Sequence, residues 1–213
     1  MPYTAHDVVE WTGYLFHHEV DTLAELAQSL PENPVAVNIG AGNGTSGLAL
    51  LQSRPDLFLW TVEKQLESSP FGCLEGEWAV LDKAGLWPCK RYAWIHGDSV
   101  EAGKEWDKGA VDSVFVDGDH SYEGCAGDIK AWLPHIKPGG LLVVHDYHKA
   151  ERFAQPIEGK APHPKPWHGV DQAVDKHLVG KFEIVAHVDT LIAFRVPVAK
   201  AKRETTRKRV KKE

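Results

Sequence analysis

The 213-residue chain has few cysteines, no long hydrophobic run and an N-terminal stretch unlike a secretory leader, and each feature speaks against a class of protein. Its three cysteines, Cys73, Cys89 and Cys125, are odd in number and widely spaced. They offer neither a disulfide framework nor a thiolate zinc site, and they fit a reducing compartment, the cytoplasm. No stretch approaches the ~18 unbroken apolar residues of a membrane span, so no membrane partner is expected. The N-terminus, MPYTAHDVVEW, lacks a basic n-region and an apolar h-region, so no secretory signal is expected. No internal repeat is visible.

What is present is a soluble globular composition, 43% apolar and 25% charged, which excludes wholesale disorder. The net charge of −6 hides a division. Residues 199–213 hold eight Lys/Arg and two Glu, whereas the rest of the chain holds 16 basic and 28 acidic residues. An acidic body with a basic tail does not describe a fold that grips nucleic acid; any such partner would have to come through the tail. The division predicts one domain over residues 1–198 and a solvated, mobile tail over 199–213.

Apolar spacing predicts an N-terminal amphipathic helix over 7–30, stopped by Pro31 and Pro34. Short apolar runs predict strands at 35–39, 57–63, 91–96, 111–117 and 141–146. Helices are expected at 45–52, 74–84, 122–136 and 170–178. Lys137-Pro138-Gly139-Gly140 is the expected stop of the third of these. Residues 149–167, rich in Pro, Lys and His, read as a loop, and FEIVAHV with LIAFRV reads as an antiparallel pair closing the fold. Alternation of strand and helix from Val35 to Asp146 requires right-handed crossovers and a parallel sheet covered on both faces: an α/β, doubly wound fold.

In such sheets, ligands bind beyond the C-terminal strand ends. After the first strand stands Asn38-Ile39-Gly40-Ala41-Gly42-Asn43-Gly44-Thr45-Ser46. Alternate glycines allow a tight turn and close approach of a ligand, which then meets the amides of the next helix. A nicotinamide fingerprint G-x-G-x-x-G would need glycine at Thr45, whereas the third glycine here is Gly44. The spacing instead suits a cofactor without a pyrophosphate. Glu63-Lys64 follow the second strand, and a carboxylate there can accept both hydroxyls of a ribose. Asp98 and Ser99 follow the third strand; Asp98 can accept from an adenine amino group, cap the next helix, or do both.

These pieces, VNIGAGNG, TVEK, HGDS, VFVDGDHSYEG, LPHIKPGGLLVVHDYH and HGVDQAVDKH…VDTLIAFRV, resemble the class I S-adenosylmethionine-dependent methyltransferases over roughly residues 35–196. Within the class the chain is similar to small-molecule O-methyltransferases with a D-x-x-H element, a branch that includes cephalosporin-hydroxylase-like and macrolide sugar methyltransferases. The run Asp117-Gly118-Asp119-His120, with Pro138-Gly139-Gly140 and His145-Asp146, carries that likeness most specifically. The resemblance implies a Rossmann-like, seven-stranded, mostly parallel sheet with an antiparallel C-terminal strand. It also implies S-adenosyl-L-methionine (SAM) as cofactor, held by Asn38, Gly40, Ala41, Gly42, Gly44, Ser46, Glu63, Lys64, Asp98, Ser99 and Asp117. One departure is Asn38, where the family commonly has an acid. Another is 149–167, which matches no substrate class.

Methyl transfer from a sulfonium is an in-line displacement, so the protein must align the donor carbon with a nucleophile. A hydroxyl acceptor needs its proton removed or its oxygen bound by a metal. Asp117 and His120 after the fourth strand, and His145 with Asp146 after the fifth, put two carboxylates and two imidazoles on one rim. His120 is the expected general base, with Asp117 beside it. Asp117, Asp146 and His145 are the expected ligands of a divalent cation, Mg²⁺ or Mn²⁺. In the plainer alternative, Asp117 and Asp119 shape a turn and His120 caps a helix. The expected reaction is methyl transfer to a hydroxyl of a small-molecule acceptor. A SAM-binding module without transfer activity, supported by Asn38, and a nucleic-acid methyltransferase recruited by the tail are the competing readings.

Overall fold

The computed structural model describes residues 2–12, 14–67, 72–148 and 168–198. Strands β1 (Val35–Ile39), β2 (Phe58–Glu63), β3 (Tyr92–His96), β4 (Val111–Val116), β5 (Ile136–Val144), β6 (Glu183–Val188) and β7 (Leu191–Arg195) form one sheet in the order β3-β2-β1-β4-β5-β7-β6. The first five run parallel, and β7 lies antiparallel between β5 and β6. The expected doubly wound, seven-stranded sheet is thus borne out. Its order reverses between β1 and β4, which opens a crevice where their C-terminal ends diverge.

The sheet is buried on both sides because its strands are apolar at consecutive positions. Leu141 and Val143 of β5 face one hydrophobic cluster, and Leu142 and Val144 face the other. Leu191 and Ala193 of β7 alternate with Ile192 and Phe194 in the same way. The first cluster includes residues of α1 (Ala5–Thr12), α2 (His17–Gln28), α3 (Thr45–Ser53) and α4 (Leu74–Lys83). The second includes residues of α6 (Tyr122–Trp132) and α7 (His168–His177), with Ala102 of α5 (Ser99–Lys104) packed against it. This is the period of two that a pleated strand requires.

The single helix expected over 7–30 is instead two helices. Phe16 is extended (φ −97°, ψ 158°), and its amide donates to Glu19 Oε2 at 2.8 Å, which starts α2 afresh. The break lets Val8 and Val9 of α1, as well as Val20, Leu23 and Ala27 of α2, reach the same core. Arg54 then closes α2 from outside, donating to the carbonyls of Ala27, Gln28, Leu30 and Pro31. A second correction concerns 122–136. Helix α6 ends at Trp132, followed by a 3₁₀ turn over Leu133–His135, because Pro134 has no N–H to extend the ladder. Lys137–Gly140 is no free stop signal; it lies inside β5, where Lys137 Nζ donates to both oxygens of Asp112 and the register with β4 shifts. Residues 149–167 and the tail 199–213 lie outside the described residues, so the loop and the tail expected there are not described.

A buried carboxyl fixes α4 behind the glycine loop. Glu77 accepts from Tyr92 Oη at 2.5 Å and Thr61 Oγ1 at 3.2 Å, and a Cβ on Gly47 would lie 2.0 Å from Glu77 Oε1, so a larger residue there would displace the carboxyl. Burial raises the Glu77 carboxyl from 4.5 to about 7, against the hydrogen bonds from Tyr92 and Thr61. A raised carboxyl means that the native state holds its proton more tightly than the unfolded chain. Stability should therefore fall as pH rises from 4.5 to 7, by about 3 kcal/mol from this group. Glu77→Gln should flatten that part of the stability curve in urea melts; an unchanged slope would show that Glu77 ionises freely in the fold.

Candidate functional site

The glycine loop sits at the crevice because both of its ends are tied down. Gly40 N donates to Val62 O at 2.9 Å, and Gly44, at φ 84°, opens α3. Gly40 has φ +89°, and a Cβ on it would lie 2.1 Å from the Asp117 carbonyl oxygen. Gly42, at φ +51°, has room for a Cβ among the described residues, and its carbonyl accepts from Cys73 N at 3.0 Å. The loop is therefore a backbone cradle, open at Gly42 and pressed on the end of β4 at Gly40.

Asn38 and Ser46 are turned inward. Asn38 is fully buried, accepts from Ser46 Oγ at 3.1 Å and donates to Gly40 O at 3.2 Å. Their side chains brace the loop, and an acid at 38 would leave Gly40 O without this donor. Glu63 Oε2 accepts from Ala41 N at 2.9 Å and Oε1 from Gln65 N at 2.8 Å, which holds the carboxylate beside the loop. Lys64 is exposed. Asp98 Oδ1 accepts from Val100 N and Glu101 N and so caps α5. Ser99 Oγ donates to Asp128 Oδ1 at 2.6 Å. Asp128 is buried, its Oδ2 has no hydrogen-bond partner among the described residues, and burial raises its carboxyl to about 7.

Next to this cradle, the ends of β4 and β5 bring together Asp117, His120, His145 and Asp146. His120 Nε2 lies 2.8 Å from Asp146 Oδ2 and 3.4 Å from Asp117 Oδ1. His145 Nδ1 lies 3.2 Å from Asp117 Oδ1 and 3.3 Å from Asp146 Oδ1. Asp146 has φ 63°, a left-handed conformation that Asp tolerates better than most residues, at the point where β5 gives way to the rim. Exposure separates the four: the His120 side chain is 26% exposed and that of Asp117 19%, while those of His145 and Asp146 are 3% each. His120 and Asp117 are therefore the more accessible pair among the described residues.

The charges are mutually supporting. Burial opposes the imidazolium of His120, but hydrogen bonds to Asp117 and Asp146 outweigh it and raise the group to about 9. His145 is likewise raised, against burial, chiefly by the charges of Asp117 and Asp146. Burial also opposes ionisation of Asp117, and the two imidazoles overcome it and hold the carboxyl below the usual carboxylate range.

Two oxygens and one nitrogen of Asp117, His120 and Asp146 lie within 4.8 Å of one another, a set that could hold a cation. His145, expected as a ligand, is placed differently: both ring nitrogens face carboxylates, Nδ1 those of Asp117 and Asp146 and Nε2 that of Glu19, at 3.1 Å. The histidine of the triad that could hold a cation is His120. Glu19 and Thr190 are not among the residues expected from sequence. The signal for Glu19 was its place three residues after Phe16, on the apolar face of α2; nothing in the sequence marks Thr190.

Comparison with known proteins agrees with the fold. TomG of Streptomyces achromogenes, an O-methyltransferase of tomaymycin synthesis solved with SAM, is 20% identical and superposes with a TM-score of 0.63 over 91% of this chain and 87% of its own. A methyltransferase of Podospora anserina solved with SAH is 20% identical, with a TM-score of 0.66 over 93% and 89%. A protein of Acanthamoeba polyphaga mimivirus is 24% identical over 148 residues, 63% of this chain, and the match spans 62% of that relative's length. The sequence profile of the methyltransferase domain family matches residues 37–147, from β1 through the glycine loop and Asp117–His120 to the end of β5. The resemblance read from the motifs is borne out, and the chain belongs to the methyltransferase domain family.

Proposed function

We propose that this protein transfers a methyl group from SAM to a hydroxyl oxygen of a small molecule, with His120 as general base. The observation that carries the reading is the position of His120: a half-buried imidazole between two carboxylates, on the strand end against which the glycine loop is packed. SAM supplies the methyl group on an electrophilic sulfonium. The cradle suits it, since Gly42 leaves room for close approach and Glu63 stands where a ribose can be accepted.

The chain's own part is positional and protolytic. Asp117 orients the acceptor hydroxyl, His120 takes its proton as the oxygen attacks, and Asp117 with Asp146 stabilises the imidazolium that results. The same triad favours a second arrangement, in which Asp117, His120 and Asp146 hold a divalent cation. Two carboxylates and an imidazole suit Mn²⁺ better than Mg²⁺, and a cation there would supply Lewis acidity in place of a base. Location in the cytoplasm and a small-molecule partner belong to the same proposal. Among the described residues no helix is long and apolar enough to cross a membrane.

The test is incubation with labelled SAM and pooled hydroxylated acceptors, alongside calorimetry of SAM and SAH. Wild type should bind SAH and label an oxygen. Glu63→Ala should lose about 1–3 kcal/mol of SAM affinity, the worth of a charge-assisted hydrogen bond to a ribose. Preferential binding of NAD, or unchanged SAM affinity in Glu63→Ala, would overturn the cofactor assignment.

A further inference from the structure

Glu19 is an acid where the core tolerates none without a reason. Its side chain is fully buried on α2, in the N-terminal layer, far along the sequence from the rim. Oε1 accepts from Thr190 N and Thr190 Oγ1, both at 2.7 Å, and Oε2 accepts from Phe16 N at 2.8 Å. Those three donors would satisfy a carboxylate whose only task was to tie α2 to the turn between β6 and β7. Yet Oε2 also faces His145 Nε2 at 3.1 Å, and the opposite nitrogen of that ring faces Asp117 and Asp146. An imidazole with carboxylates at both nitrogens is held in one orientation, because turning the ring over would break contacts on both sides.

We propose that Glu19 is a positioning residue that fixes the His145 ring and, through it, the Asp117 and Asp146 carboxylates against which His120 works. This rests on the methyl-transfer reading for its purpose, but the geometry it claims is independent of that reading. The chain of contacts is continuous: Glu19 to His145, His145 to Asp117 and Asp146, and both carboxylates to His120 Nε2. A helix of the N-terminal segment, outside the glycine loop and Asp117–His120, thereby sets the rim from behind.

The experiment is two-dimensional NMR of the full chain labelled with ¹⁵N-histidine, at one neutral pH. His145 and His120 are assigned by the signals lost in His145→Gln and His120→Gln. In wild type both nitrogens of His145 should carry protons protected from exchange, with Nε2–H strongly downfield. In Glu19→Gln that Nε2–H signal should be lost or broadened and the His120 side-chain signals should move. SAH affinity should change less than about twofold, because Glu19 bonds to Phe16, Thr190 and His145 and leaves the Asp117 backbone under Gly40 in place. Glu19→Asp should restore part of the wild-type pattern, and Thr190→Val, which leaves the carboxylate in place but removes the hydroxyl 3.3 Å from His145 Nε2, should shift the His145 signal by less than Glu19→Gln does. A wild-type His145 without a proton on Nε2 overturns the proposal and needs no variant, so it holds even if Glu19→Gln fails to fold. His145 or His120 signals unmoved in a folded Glu19→Gln protein overturn it as well. Failure of wild type to bind SAH would count against the methyl-transfer reading alone.

Discussion

Replacing His120 by Ala is expected to slow methyl transfer by about 10²–10⁴-fold, the range of a positioned base, while SAH still binds. The pH profile carries the stronger information. Hydrogen bonds to Asp117 and Asp146 raise His120 to about 9, so below that pH most of the protein holds the imidazolium, which cannot accept a proton. The neutral base appears only as pH rises, and kcat/KM should climb about tenfold per pH unit before levelling near 9. A cation on the carboxylates would offset the charge that raises His120, and the rising limb should then move toward neutral pH when Mn²⁺ is added. Full activity in chelator with a limb near 9 assigns the proton transfer to His120 alone. Activity lost in chelator and restored by Mn²⁺ assigns His120 to the cation instead. An active His120→Ala protein with an unaltered profile removes it from both roles.

The parts of the rim that sequence exposes are those whose chemistry and position coincide. Asp117 and His120 follow the apolar run Val114–Val116, His145 and Asp146 follow the run Leu141–Val144, and the parallel order of β4 and β5 brings the four together. The sheet was legible for the same reason: both faces are covered, so the strands read as continuous apolar runs. What stayed hidden are contacts between distant segments. Glu19 reaches His145 across the layer of α2, and Asp128 meets Ser99 across the α5–α6 contact. Glu77, on α4, fills space left by a glycine of α3. A local pattern can mark such an acid, as the spacing from Phe16 marks Glu19, but it does not give the distant partners that folding supplies. The N-terminal break is of the same kind: periodicity runs through it, whereas packing of both Val8 and Leu23 against one core decides it. Asn38 is a different case, since its departure from an acid supported the reading of a SAM-binding module without transfer activity, whereas its side chain is turned to Ser46 and Gly40.

Gly40→Ala is the substitution expected to damage fold and site together. At φ +89° an L-residue is strained, and the new Cβ would lie 2.1 Å from the Asp117 carbonyl oxygen and 2.8 Å from its carbon. Backbone cannot swing aside as a side chain can. Gly40 N is bonded to Val62 O and Asp117 N to Ile39 O, so movement at either residue breaks the ends of β1, β2 or β4. About 2–4 kcal/mol of stability should be lost, from strain of about 1–3 kcal/mol with a backbone clash added. Gly42→Ala is the control: its φ of +51° is strained too, but a Cβ there meets nothing within 4 Å among the described residues, so it should cost about 1 kcal/mol. Urea melts of the two variants separate conformation from collision, and equal losses would refute the clash. The consequence for function follows from what Gly40 touches. Displacing the Asp117 carbonyl moves the residue that His120 and His145 both face, so in whatever fraction of Gly40→Ala still folds, SAH affinity and turnover should fall together. A variant that lost SAH affinity but kept its turnover at saturating SAM would show that cradle and rim are independent, and that Gly40 serves the cofactor alone.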